Sequence, residues 1–408
     1  MSQTDASTLP DPAIVLSTYA DVAAGFRSKE LRQALYDEGG IIMADCLLDL
    51  HGAPHRERRR LENRLFRRST FEWFESEVMG PTIDAVLDPA VEAGGGDLIE
   101  LGYRAVMELT ARIAGVDRST GSVEESNELL NLVVTFGEGA TLVHATGDRD
   151  QVRARVADSL NRFEEQFFGP SLRRRQALIA EVEAGRLSAD ELPRDVLTTL
   201  LSNQSELGLP RDVILREVAF YLQAGGHSTS NALTHALDDI FVWSAGRPDR
   251  VADLVSDPYR LQRAVHETLR LHPASPHAWR RALTSCRLSS GQEVAEGQLV
   301  VLDITTANRD PAVFGDDADS YNPARQLPAS VSPWGHTFGG GMHACIGEEL
   351  DGGLAGGPSE AAHLFGTVSR LAEAFLTRGA RPDPDQPPTM TTASERPHFA
   401  RYPVIFGA

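Results

Sequence analysis

Apolar residues recur at helical spacing over most of this chain. The longest such run lies within 210–243, where Val213, Val218, Leu222, Leu233, Leu237, Ile240 and Phe241 mark one stripe. The same spacing predicts a helix over 19–35, another over 51–68 with Pro54 in its first turn, and a third over 261–272. Between 71 and 204 the pattern gives a series of amphipathic helices, broken by Gly94-Gly95-Gly96, by Thr120-Gly121-Ser122 and near Gly169-Pro170. Strand-like pieces are short: 14–16, 299–304 and 399–406, with turns at 289–292 and 296–298. The expected architecture is mainly α with a smaller β region, residues 1–408 forming one domain behind a loose lead at 1–12.

Three stretches break this pattern and carry candidate chemistry. Ala224 to Leu233, AGGHSTSNAL, puts two glycines and several hydroxyl residues inside the longest helix, at about 1 kcal/mol per glycine relative to alanine. Something must compensate for that cost. The segment 334–347, WGHTFGGGMHACIG, is a glycine-dense loop delivering Cys345 to the start of an expected helix, where free N–H groups favour a thiolate. A buried, inert cysteine in a glycine-rich turn has the same local sequence. The segment 51–68 carries His55 and Arg59 one helical turn apart, among many further arginines. Trp73, Phe74, Phe136, Phe163, Phe167 and Phe168 read as core rather than as a pocket wall.

Composition narrows the function classes. The 408 residues are 41% hydrophobic and 24% charged, with a formal net charge of −19, which argues against nucleic acid as a general partner. Cys46, Cys286 and Cys345 are far apart and odd in number, so neither a disulfide framework nor a zinc-type spacing is present. The N-terminus has no basic segment followed by an apolar one, and no stretch reaches the length of a membrane span, so the expected location is cytoplasmic.

The loop Phe338-x-x-Gly341-x-His343-x-Cys345-x-Gly347 resembles the haem-binding loop of the cytochrome P450 family, the haem-thiolate monooxygenases. The resemblance spans roughly 14–406 and includes three more features in the same order: the His55/Arg59 helix, the small-residue helix, and Glu267-x-x-Arg270 followed by Leu271-His272-Pro273. It implies haem b, iron protoporphyrin IX, with Cys345 as axial ligand, held by Phe338, Gly341, His343, His55, Arg59 and Arg280. It implies a distal groove at Ala224 and Gly225, with His227 where the family has an acid and Ser228 or Thr229 as the alcohol. His277, Ala278 and Trp279 would face substrate. Glu267, Arg270 and Arg325, the last in place of the usual third partner, would brace the cysteine region. The family's usual N-terminal helix is missing or replaced.

The activity so implied is insertion of one oxygen atom from O2 into a small organic molecule, as in secondary metabolism. Electrons would come from a separate ferredoxin and ferredoxin reductase, docking near Arg56, Arg58 and Arg60. A peroxide-driven or non-hydroxylating haem-thiolate enzyme, catalysing coupling, rearrangement or dehydration, is the alternative because the distal acid is absent. A haem carrier or sensor is a third reading.

Overall fold

The computed structural model describes residues 13–407 apart from 289, 356–362 and 395. Strand β1 (Ile14–Leu16) leads into helix α1 (Tyr19–Arg27), whose first turn is closed by Thr18 accepting a hydrogen bond from the Asp21 N–H at 3.1 Å. The helix expected to run to residue 35 stops at Ser28, in extended conformation. Leu31 and Gln33 then turn inward with a period of two, forming β2 (Leu31–Gln33). Alternation over three residues was too short a signal to outweigh the helical spacing around it.

Helix α2 (Gly52–Glu62) is fixed by a buried polar network rather than by apolar packing alone. Arg58 donates to Glu217 Oε2 at 2.8 Å and to the Asp45 carbonyl at 3.1 Å; the Leu47 N–H also reaches Glu217, and Tyr221 donates to Glu62. Burial pushes the Glu217 carboxyl up to about 7, with Arg58 pulling it back. Arg58 therefore lies under the surface and cannot join Arg56 and Arg60 in a docking patch. At 100° per residue, positions 56 and 58 point to nearly opposite sides of a helix.

Helices α3 (Leu98–Ala114) and α4 (Val123–Ala140) pack on α5 (Arg211–Trp243), a helix of 33 residues that is buried on most of its circumference. Its interior glycines have a packing reason. A Cβ on Gly225 would lie 2.5 Å from Thr110 Cγ2 of α3, and one on Gly226 would lie 3.1 Å from Val133 Cγ1 of α4. Phe136, Phe163, Phe167 and Phe168 belong to the core on this side, as their spacing predicts, whereas Trp73 is exposed.

Helix α6 (Pro258–Leu271) follows, capped by Asp257, and then β3 (His277–Ala282) and β4 (Leu299–Asp303). The sheet order is β1-β4-β3-β2, with β1 parallel to β4 and the other pairs antiparallel. Its register sets Arg280 opposite both Val300 and Gln33, in the middle of the sheet. After Cys345 only one helical turn forms, Glu348–Asp351, ending at Gly352 and Gly353. The expected resumption of helix near residue 360 lies outside the described residues, as does the lead at 1–12; α7 (Thr367–Thr377) comes next. The last expected strand divides into Phe399–Arg401 and Pro403–Ile405, because Tyr402 turns inward and donates to Asp238 Oδ1 at 2.8 Å. No helix among the described residues is long and apolar enough to cross a membrane.

Candidate functional site

A cavity of about 330 Å³ lies where α5, α2 and the sheet meet the Cys345 loop. Ala224, Gly225, His227, Ser228 and Thr229 of α5 line it, as do Cys345, Phe338 and His343 of the loop. His55 and Arg59 of α2, and His277, Ala278 and Arg280 of β3, complete the expected set. Two expected residues are not on the wall. Trp279 alternates to the other face of β3 and is packed with Ala34, Leu35 and Val301. Gly341 serves the loop's fold: at φ +63° its missing Cβ would lie 2.1 Å from the Phe26 carbonyl oxygen, so glycine is required for close packing on α1.

The loop geometry comes from backbone contacts and a buried brace. The Cys345 N–H donates to the Phe338 carbonyl at 2.9 Å. Arg270 forks onto Glu267 at 2.7 and 2.9 Å and donates to the carbonyls of Asn308 and Ala318, both at 2.7 Å. Arg325 Nε reaches the same carboxylate at 3.0 Å. Asn308 carries this brace into the loop, accepting from the His336 N–H at 2.7 Å and donating to Thr337 Oγ1 at 3.1 Å. Asn308 was legible in the sequence only as part of the run ANRDPAVF.

Cys345 is exposed by surface area, and the surface it exposes faces this enclosed cavity. Burial pushes its thiol up to about 12, with the Gly347 N–H opposing and Asp351 and Glu348 adding to the rise. The expected thiolate at a helix N-terminus is therefore not provided by the protein alone. The following helix is one turn long and carries Glu348, Glu349 and Asp351. A cation bound to the sulfur is what would ionise it.

Beside Cys345 the polar groups lack partners. All four ring nitrogens of His55 and His343 are buried without a hydrogen bond, and the two rings meet edge to face at 4.6 Å. Burial pushes His55 down to about 4 and His343 to about 3, so both rings are neutral near pH 7. Arg280, 3% exposed, spends one nitrogen on Gln33 Oε1 at 2.6 Å and on the Trp279 carbonyl, and meets no carboxylate among the described residues. Arg59 donates to the Ala344 carbonyl at 2.9 Å, tying α2 to the loop. Buried polar groups in a folded protein almost always have a partner, so these call for an acceptor-rich ligand. No cluster of three or more His, Cys, Asp or Glu among the described residues could hold a metal ion. A metal here must arrive with most of its own ligands. An iron porphyrin would satisfy each requirement: its propionates would match two imidazoles and two guanidiniums, and its iron would take the Cys345 sulfur.

On the α5 side, His227 Nδ1 and the Tyr103 hydroxyl are hydrogen-bonded at 2.6 Å, and Asn231 donates to that hydroxyl at 3.3 Å. Burial holds His227 down to about 3, a neutral ring rather than an acid. Ser228 turns back onto the Ala224 carbonyl at 2.6 Å, whereas Thr229 donates to Asp351 Oδ1 at 2.7 Å. Burial raises the Asp351 carboxyl to about 6. Tyr103, Asp351 and Arg396, which also lines the cavity, carried no signal in the sequence. Each comes from a different part of the chain.

A sequence model of the family described as Cytochrome P450 matches residues 242–350. Cytochrome P450 105C1 of a Streptomyces species is 34% identical over 165 residues, covering 40% of this chain and 40% of that protein. The chain thus aligns with about two fifths of that relative's length. C-19 steroid 1alpha-hydroxylase of Sorangium cellulosum is 25% identical over 353 residues, covering 82% of this chain and 75% of that protein. Among solved structures, that of CalO2 superposes with a TM-score of 0.73 at 19% identity, over 98% of this chain and 91% of its own. The shared architecture, the matched segment 242–350 that carries Glu267, Arg270 and Cys345, and a cavity whose orphaned donors fit a haem agree in supporting a member of the cytochrome P450 family.

Proposed function

We propose that this protein is a haem-thiolate monooxygenase that inserts one oxygen atom from O2 into a small organic substrate, with electrons from a separate ferredoxin and its reductase. The observation that carries the reading is Cys345 facing a cavity where the ring nitrogens of His55 and His343 lack hydrogen-bond partners and buried Arg280 meets no carboxylate among the described residues. Relatives support the class: two are named linalool 8-monooxygenase and C-19 steroid 1alpha-hydroxylase.

Cys345 would hold the haem iron through its sulfur, and His55, Arg59, Arg280 and His343 would hold the propionates. Phe338, on the cavity wall, would pack against the haem, and Glu267, Arg270 and Arg325 brace the loop. Bound haem supplies oxygen-activating chemistry, with thiolate electron density favouring O–O cleavage. Ala224 and Gly225 leave room beside α5. Thr229 and Asp351 make an acid–alcohol pair from two elements, and a carboxyl near 6 can give and regain a proton at neutral pH. Neutral His227, held by Tyr103, with His277 and Ala278, borders the substrate. Ferredoxin docks near Arg56 and Arg60, both exposed on the α2 surface of an otherwise acidic protein.

Ser228, turned onto its own backbone, favours the second reading, a peroxide-driven or non-hydroxylating enzyme. Turnover under isotopically labelled O2 with ferredoxin, reductase and NAD(P)H separates the two. Label in the product supports the monooxygenase. Turnover with peroxide alone, and none with the reduced partners, replaces it.

A further inference from the structure

Arg396 is 5% exposed, lines the cavity, and has Nε and Nη2 buried without a hydrogen-bond partner. It meets no carboxylate among the described residues. An uncompensated buried guanidinium costs several kcal/mol, and arginine does not discharge at physiological pH. The fold therefore holds a fixed positive charge facing an apolar cavity.

The neighbours do not neutralise it. Arg396 bears electrostatically on His144, His227, His277, His398, Tyr36 and Tyr103. None of these is an acid near pH 7, and His398, edge to face with His227 at 5.2 Å, also has both ring nitrogens buried and unpartnered. This donor group meets other elements than the one beside Cys345: His398 packs against His227 of α5, whereas His343 packs against His55 of α2. Arg396 thus faces the cavity apart from those donors, and the haem carboxylates account for the set beside Cys345.

We propose that the substrate is an organic carboxylate, and that Arg396 is the residue that binds its carboxylate. The planar guanidinium matches a carboxylate through two parallel N–H···O bonds, and Nε with Nη2 is one such edge. A neutral substrate of the same shape leaves the charge buried and unpaired, so the site discriminates by penalty as well as by attraction. This inference takes the word substrate from the monooxygenase reading, but its binding chemistry stands on the cavity alone.

The test titrates the haem-loaded full chain with benzoate, phenylacetate and decanoate and with the matching primary amides, by calorimetry at neutral pH. At least one acid should bind about tenfold or more tighter than its amide. Arg396→Gln should remove that preference and Arg396→Lys should keep part of it. Haem content and the carbon-monoxide spectrum should stay unchanged in both. Glu395→Gln, the change at the chain neighbour outside the described residues, should leave the preference intact. The proposal is overturned if no acid is preferred by the unaltered chain, if the preference survives Arg396→Gln, or if it emerges only in Glu395→Gln. Loss of haem in both Arg396 variants also overturns it, assigning the charge to a propionate. Acid preference without O2-dependent product would sink the monooxygenase reading alone; product from amides bound as tightly as acids would sink this inference alone.

Discussion

The two sides of the cavity are built by different means. On the Cys345 side the loop 338–347 is one short segment, held by backbone contacts, such as Cys345 N–H to the Phe338 carbonyl, and by the Glu267/Arg270/Arg325 cluster. On the other side the polar groups come from α3, α5, the turn after Cys345 and the C-terminal loop: Tyr103, His227, Asp351 and Arg396. The first arrangement fixes one atom in one place. The second can change one residue at a time without unfolding the site, and it is there that this chain departs from the pattern it resembles. His227 stands where the resemblance puts an acid on α5, Thr229 donates to Asp351 of another element, and Arg396 brings a charge to the pocket wall.

The comparison predicts where substitutions act. Cys345→Ser should abolish the reduced carbon-monoxide band of a thiolate haem and all turnover; a normal band in that variant would remove Cys345 as ligand. Arg270→Ala, which leaves Glu267 buried with one partner fewer, should cost about 3–5 kcal/mol in denaturant unfolding. A loss below about 1 kcal/mol would show that the brace is not structural. On the α5 side, Asp351→Asn should slow product formation by roughly a hundredfold with little change in substrate affinity. His227→Ala should do the reverse, and a larger rate effect at His227 than at Asp351 would exchange their roles.

The pH dependence follows from the buried rings. His227, His235, His266 and His398 are held by burial at about 3, 4, 4 and 2, below their ordinary value of 6.5. The unfolded chain binds protons at these rings below pH 6.5 while the folded chain does not. Stability is therefore full above pH 6.5 and is lost as pH falls below it, at about 1 kcal/mol per histidine for each unit. Unfolding at pH 7.5 and 5.5 checks this, and a midpoint that rises on acidification contradicts the sign. The smallest effect is at the surface. Arg56→Glu should raise the KM for reduced ferredoxin several-fold, more at low salt, and leave the unfolding midpoint unchanged.

Much of the helical order was legible because its signals are local. The stripe of α5, the period of α6 and the glycine spacing before Cys345 depend only on near neighbours in the chain. The arginine run of 51–68 was legible as a helix but not in its rotation. Only the docking of α2 on α5 turned Arg58 toward Glu217 and His55 toward the cavity. β2 was hidden because a strand of three residues is recognised by its partner β3, not by its own period.

The sequence by itself determined that Cys345 sits in a haem-type loop, that a small-residue helix accompanies it, and that Glu267 and Arg270 share a helix face, because each is a spacing within one segment. The tertiary structure decided that Thr229 meets the Asp351 carboxyl, that His227 is neutral against Tyr103, and that Arg396 has two nitrogens without a hydrogen-bond partner among the described residues. Hydrogen bonding and burial between distant segments depend on which surfaces meet, and no pattern along a single segment encodes that.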